Sequence, residues 1–449
     1  MRTGSIIDVP SQEPLLRVGL CEHRQVVQIT VSGAFLVNQS TFPAGAYELV
    51  AKPEGIVLNV PLGREKICVK SLTLAPLPEE HTLFHIDNML IGRSFHWERA
   101  QQQTFQGELV IEQEEDATLR VINVVPLEQY LQSVISSEMS SASPVEFLKA
   151  HCIVSRSWLL AQLRKKAKHA YLYGTPDKRW TDATEHRFFD VCNDDHCQRY
   201  HGISRVNTAV QEALAATRGQ VLLYGDEICD ARFSKCCGGI TETYATAWED
   251  IMVPYLMPIA DSPQHPRAYL PPLRDETVVE CFIRTRPPAY CNVADRTLLA
   301  QLLPDFDCET HHFFRWKVTL SQDELQELLL LKTGIDFGEI SSLVPCARGA
   351  SGRISALKVC GTKAEKVFGK ELEIRRILSR THLYSSAFVV KPTDLREAIP
   401  HRFTLVGAGW GHGVGMCQIG AAALAAAGKD CHAILHHYFT GVSIQKIYT

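Results

Sequence analysis

The sequence predicts an α+β fold, mixed strands and helices, preceded by a small N-terminal β-rich domain. Three observations carry that prediction. Residues 15–100 hold short alternating runs such as LLRVGLC, QVVQITVSG, AYELVAK, GIVLNV and KICVKSLTL, split by Gly, Pro and Asn. That is the pattern of half-buried strands between turns. Beyond residue 125 the apolar spacing lengthens to that of helices. Finally, 449 residues with 45% hydrophobic and 21% charged side chains are ordinary globular composition. At about 150 residues per domain this length suits two or three domains.

The elements follow in chain order. FQGELVIEQ and TLRVINVV read as two further strands after residue 105, so the β-rich domain is placed at 1–105 and a larger domain at 106–449. Pro126 is expected to open a helix, PLEQYLQSVI. Ser143, Pro144 and Glu146 have the spacing of a capping box at the head of VEFLKAHCIVSRSWLLAQLRKKAK. VNTAVQEALAATRG reads as a third helix ending at Gly219. The Pro-rich stretch 262–300 is expected to be an irregular surface excursion. RWKVTL then SQDELQELLLL reads as strand and helix, and AAALAAAG with CHAILHHYF as two helices near the end.

Composition removes several classes. Lys+Arg 46 against Asp+Glu 50 leaves net charge −4 with no basic stripe, which argues against a nucleic-acid reader. No uncharged apolar run approaches the about 18 residues of a membrane helix. MRTGSIIDVPSQEP does not read as a secretory leader. The protein then either stays inside the cell or follows a removed segment. Fifteen cysteines are an odd number, unlike a disulfide framework. Cys21, Cys68, Cys229, Cys281 and Cys360 sit singly among apolar residues and read as small buried thiols.

Four segments carry chemistry. Glu138 is the only charged residue among the 17 between Glu128 and Glu146, within a serine-rich stretch joining two helices. A lone carboxyl flanked by apolar helices and distant from cations holds its proton longer than usual, as a general acid must. The bland alternative is a helix cap or a solvated turn. In GAGWGHGVGMCQIG, glycines fall at 407, 409, 411, 413 and 415. In a strand they would form one bare face, with Trp410 and His412 opposite to stack on and hydrogen-bond a sugar ring. The alternative is a packed central strand crossed by a helix. His186, Cys192, His196 and Cys197 have zinc-like spacing, although a polar loop with two thiols fits too. Four protein ligands would make such an ion structural, whereas three plus water would allow Lewis-acid chemistry. In FSKCCGGITE the Gly pair marks a tight turn. Cys237 as a nucleophile lacks a local histidine.

Taken together, VINVVPLEQYLQSVISSEM, SPVEFLKAHCIVSRSW, FSKCCGGITE with PYLMPIAD, RGASGRISALKV, and GWGHGVGMCQIGAAALAAAG with ILHHYFTG resemble the SpoIID/LytB family, in the family's order across 106–449. The resemblance implies a catalytic cleft and a lytic transglycosylase acting on peptidoglycan glycan strands, chiefly peptide-free ones, with Glu138 as general acid and then base. It implies that His412, Gln418 and Arg156 line the cleft, with a structural ion pair as the alternative for Arg156; Trp410 and Ser234 are the further candidate substrate contacts. It also implies a zinc ion on candidates His186, Cys192, His196 and Cys197. Family members often carry Ser where this chain has Cys237 and Cys417. The resemblance places the work outside the cytoplasmic membrane, while the many thiols suit a reducing compartment. The rival readings are a wall-binding enhancer of a partner amidase and a zinc hydrolase.

Overall fold

The computed structural model describes residues 12–449 apart from 38, 39, 61, 62, 78, 94, 96, 169–173, 176, 177, 180–185, 265, 311 and 398. The opening residues read above for a leader lie largely outside the described residues.

The N-terminal half is strand-rich, as expected, but its strands do not close on themselves. One sheet runs in the order Val191–Cys192, Leu15–Arg24, Leu119–Pro126, Glu108–Gln113, Ser71–Pro76, Phe35–Val37, Ser40–Phe42. It interleaves strands from both sides of residue 105. A second sheet, Arg99–Phe105, Phe84–Ile91, Val26–Val31, Gly45–Lys52, Gly55–Val60 and Gly63–Val69, packs into the same core. That core continues from Leu16 through Leu131, Trp158 and Met416 to Val442, so no separate core ends at the boundary expected near residue 105.

Strand Leu119–Pro126 feeds directly into helix α1, Leu127–Glu138. Pro126 sits at its N-cap, and the helix continues through Ser136 and Ser137 to place Glu138 as its last residue, where a linker had been expected. Helix α2, Val145–Lys168, is buried along almost its whole described face, although His151, Ser155, Arg156, Ser157 and Gln162 are among the buried residues. The expected capping box does not form. The Ser143 hydroxyl donates to the Leu302 carbonyl at 3.4 Å, and Glu146 accepts from the Cys431 amide at 2.9 Å and from Lys149 at 2.7 Å. Helix α3, Thr208–Thr217, is capped by Asn207, whose side chain accepts from the Val210 amide.

The stretch 262–300 differs from its expectation. It carries helix Glu276–Arg284 and the start of Arg296–Leu302, and it buries Leu273, Val279, Phe282 and Ile283. Strand Arg315–Ser321 and helix Gln322–Thr333 follow, joined by a capping box between Ser321 and Glu324. With strands Ile340–Arg348, Ile354–Gly361, Phe388–Arg396 and Ile399–Ala408 they enclose a second core around Trp316, Leu329, Phe337 and Phe403. Glu242 and Val414 pair as an isolated parallel bridge, and between them the chain both contributes Trp248, Cys291, Leu302, Phe313 and Trp410 to the main core and builds the second core. No helix among the described residues is long and apolar enough to cross a membrane. Of the cysteines expected to be buried, Cys21 and Cys229 are, Cys360 is half-buried, Cys281 is exposed, and the Cys68 side chain lies outside the described residues.

Candidate functional site

The site forms where α1 ends. A cavity of about 560 Å³ opens there, and Glu138, Ser234, Trp410, His412 and Gln418 all line it, with His196 and Cys197 on its wall. Ser234 and Gln418 are far apart in sequence, but strand Phe233–Ser234 pairs in parallel with Met416–Cys417 and brings them side by side. Gln418 then opens helix Gln418–Ala426.

Each oxygen of Glu138 is held by one donor. Oε1 accepts from the Arg199 amide at 3.0 Å and Oε2 from Gln418 Nε2 at 3.2 Å. Gln418 Nε2 also lies 3.2 Å from Nε2 of His151 on α2. Burial, and then the charge of Lys235, push His151 down to about 3. Its ring is therefore neutral at ordinary pH and able to accept from the amide.

The expectation that no cation lies near Glu138 does not hold. Lys235 Nζ donates to the Glu138 carbonyl at 2.6 Å and pairs with Asp307 at 2.8 Å, while Arg199 pairs with Asp307 at 3.0 Å and Asp195 at 2.8 Å. Burial alone would lift the Asp307 carboxyl, but Arg199 and Lys235 outweigh it and hold it below the ordinary range. These cations are committed to other acids. The remaining cleft acids, Asp194, Glu371 and Glu373, pair with Arg93, Arg375 and Arg376. Among the described residues Glu138 is the cleft carboxylate that makes no salt bridge.

The aromatic wall is present in a form the sequence does not suggest. Strand Ile399–Ala408 stops at Ala408, and Gly409, Gly411, Gly413 and Gly415 all have positive φ, between 73° and 86°. The glycines therefore build a looped path, not a bare strand face. A Cβ at Gly413 would fall 2.4 Å from the buried Arg353 guanidinium, and one at Gly415 would fall 2.0 Å from the Arg232 carbonyl. Trp410 packs at 4.5 Å on Phe313 and 4.7 Å on Tyr384, and His412 packs at 4.8 Å on Trp248. The Ser234 hydroxyl is buried and has no hydrogen-bond partner among the described residues.

Arg156 is not in this cleft. It is fully buried on α2 and clamps Glu128 of α1 with two bonds of 2.9 and 2.7 Å. Glu128 also accepts from the Tyr448 hydroxyl at 2.7 Å and the Gly219 amide at 3.3 Å. Burial would raise the Glu128 carboxyl, but Arg156 outweighs it and holds it below the ordinary range. Cys237 does not line the cleft either. It is buried, and burial pushes its thiol well up, which argues against a nucleophile.

His186, Cys192, His196 and Cys197 do converge. Their ligand atoms lie within 4.8 Å of one another, with His186 Nε2 at 3.3 Å and His196 Nδ1 at 3.5 Å from Cys197 Sγ. Two thiols and two imidazoles at this separation fit a tetrahedral cation with no open position. Residue pairing anchors the loop, because Val191–Cys192 pairs in parallel with Val18 and Gly19. A Cβ on Gly19 would fall 2.6 Å from the Phe189 ring. Two residues beyond Cys197 comes the Arg199 amide that holds Glu138.

Comparison with known proteins places this geometry. Residues 115–224 match the family model described as Stage II sporulation protein, and residues 242–415 match one described as a domain of unknown function, DUF8618. The second match spans the stretch between the paired residues Glu242 and Val414. An uncharacterized protein of Brachyspira hyodysenteriae is 27% identical over 327 residues, covering 73% of this chain and 68% of its own. Stage II sporulation protein D of Bacillus amyloliquefaciens is 24% identical over 72% of this chain and 75% of its own. The amidase enhancer of Bacillus subtilis is 24% identical over 70% of this chain, which spans only 40% of that relative. The chain thus carries a domain matching the Stage II sporulation protein family, which holds Glu138, and it is similar along most of its length to Stage II sporulation protein D and to the amidase enhancer LytB.

Proposed function

We propose that the protein is a peptidoglycan lytic transglycosylase that cleaves the glycosidic bond between N-acetylmuramic acid and N-acetylglucosamine, with Glu138 as the single acid and base. One observation carries the reading: the cleft holds one carboxylate free of ion pairing among the described residues, held in place by a donor on each oxygen. Glycoside hydrolysis in general uses two carboxylates, the second to activate water or attack the sugar. A transglycosylase needs one. Glu138 gives its proton to the glycosidic oxygen as the bond to the muramic C1 breaks. The C6 hydroxyl of the same sugar attacks C1 and returns its proton to the Glu138 carboxylate, leaving a 1,6-anhydro end and no water consumed.

The remaining cleft residues fit binding. Trp410 and Trp248 give the cleft an apolar wall for a sugar to lie against, and the Ser234 hydroxyl, without a partner among the described residues, offers a hydrogen bond. A zinc ion on His186, Cys192, His196 and Cys197 would act as a brace. It would hold the loop whose Arg199 amide orients Glu138, and chelation is expected to lower the melting temperature. A zinc hydrolase would instead need an open coordination position.

The name of the B. subtilis relative supports a second reading, a glycan-binding partner that enhances an amidase. Glycan release by wild type and Glu138→Gln separates the two. The transglycosylase reading expects a loss of at least about 100-fold with folding intact. Equal, negligible release by both proteins, with strand binding retained, would favour the enhancer.

A further inference from the structure

A second group of soft ligands lies behind the cleft, away from the His186–Cys197 loop. Cys237, Cys291, Cys417 and Asp261 are 3%, 2%, 0% and 0% exposed, and their ligand atoms lie within 4.8 Å of one another. We propose that these four residues bind a zinc-class divalent cation that clamps the floor of the cleft.

The geometry has the right scale. Zinc with sulfur ligands at about 2.3 Å and oxygen at about 2.0–2.2 Å separates tetrahedral ligand atoms by roughly 3.4–3.8 Å. Here Cys237 Sγ lies 3.5 Å from Cys291 Sγ and 3.2 Å from Asp261 Oδ2, so little movement is needed. Three thiolates and one carboxylate are a soft, anionic donor set suited to zinc over magnesium or calcium.

The surroundings are built for such a set. Asp261 Oδ1 is occupied by the Tyr438 hydroxyl at 2.9 Å and His437 Nε2 at 3.0 Å, which leaves Oδ2 turned to the thiols. Outer contacts of this kind orient a metal-ligating carboxylate. The Cys237 amide donates to Cys417 Sγ at 3.2 Å and the Gly239 amide to Cys237 Sγ at 3.3 Å. A Cβ on Gly420 would fall 2.6 Å from Asp261 Oδ2 and 3.3 Å from Cys417 Sγ, so that glycine keeps the space open. Charge is balanced as well. Divalent zinc with these four anions leaves two negative charges, and the half-buried Arg315 and the buried Arg353 border the site. Arg315 donates to the Gly238 carbonyl at 2.9 Å and Arg353 to the Cys237 carbonyl at 3.2 Å. Neither makes a salt bridge among the described residues, so both positive charges remain for the cluster.

The position gives the cation a task. Cys417 precedes Gln418, the donor to Glu138, and Cys237 follows the Ser234 strand by three residues. Binding displaces the thiol protons to solvent and ties both strands to Asp261 and Cys291. The inference is independent of which reaction the cleft performs.

The direct test is anomalous diffraction at the zinc edge from crystals of the intact wild-type chain grown from zinc-supplemented cells. The expected result is a zinc peak enclosed by Cys237, Cys291, Cys417 and Asp261. Absence of a peak there, or a Cys237–Cys291 disulfide in its place, overturns the proposal. In solution, Cys192→Ser/Cys197→Ser is expected to retain one equivalent of zinc per folded chain, and adding Cys291→Ser is expected to remove it. A folded double variant that holds no zinc also overturns it.

Discussion

At the scale of residues, Glu138 draws its orientation from atoms distant in sequence. Its partners Arg199, Lys235 and Gln418 are 61, 97 and 280 positions away. Glu138 itself was legible because no other charge falls within its stretch. Its neighbours were not, since nothing local marks a backbone amide or a glutamine as its partner. His151 was missed for the same reason. It sits among apolar residues of α2, and only the fold turns it toward Gln418. Replacing Gln418 with Ala removes one hydrogen bond to Glu138, worth about 0.5–1.5 kcal/mol. Steady-state kinetics are expected to show kcat down roughly 2- to 13-fold with KM little changed, the ratio that this energy gives. A change confined to KM would mean that Gln418 contacts substrate without orienting the acid.

Among the elements, the family resemblance implies Arg156 as a cleft residue, but the structure bears out the alternative, a structural ion pair that joins α1 to α2. The partner is Glu128, 28 residues earlier. Removing one member of a buried pair strands the other, at a cost of about 3–5 kcal/mol. Arg156→Ala is therefore expected to lower stability by about that amount in urea unfolding, while Glu138 chemistry persists in the protein that remains folded. Loss of turnover without loss of stability would return Arg156 to the cleft. The glycine segment carries a different lesson. Spacing of two is shared by strands and by a loop that alternates left-handed glycines, and only φ separates them. Gly413→Ala combines φ of 77° with a Cβ 2.4 Å from Arg353, so a clear drop in melting temperature is expected. An unchanged melting temperature would mean that the loop readily repacks. Strand Arg315–Ser321 and helix Gln322–Thr333 were fully legible, since period, cap and turn agree there.

For the whole molecule, the α+β class and the strand-rich start were legible from periodicity, but the domain division was not. Sheet partners such as Leu15–Arg24 with Leu119–Pro126 are set by register across a hundred residues, and composition carries no trace of it. The parallel bridge between Glu242 and Val414 is equally silent in sequence. Buried histidines give the whole fold a pH dependence. Burial, with nearby cations second, holds His151 at about 3 and keeps His201 and His412 well below the ordinary value of 6.5. As pH falls below 6.5 the unfolded chain binds protons that the folded one refuses, so stability declines on acidification. Glu128 and Asp307, whose folded values are lowered, add to the loss at still lower pH. Urea midpoints are expected to fall between pH 7 and about pH 4, with a shallower fall in His151→Gln. An equal slope in that variant would contradict the assignment. The central claim, one carboxylate acting without water, is tested most directly by mass spectrometry of peptide-free glycan strands after incubation with wild type and Glu138→Gln. Anhydro-ended fragments from wild type alone are the predicted result. Reducing ends would show that water is the nucleophile and would contradict the single-carboxylate mechanism.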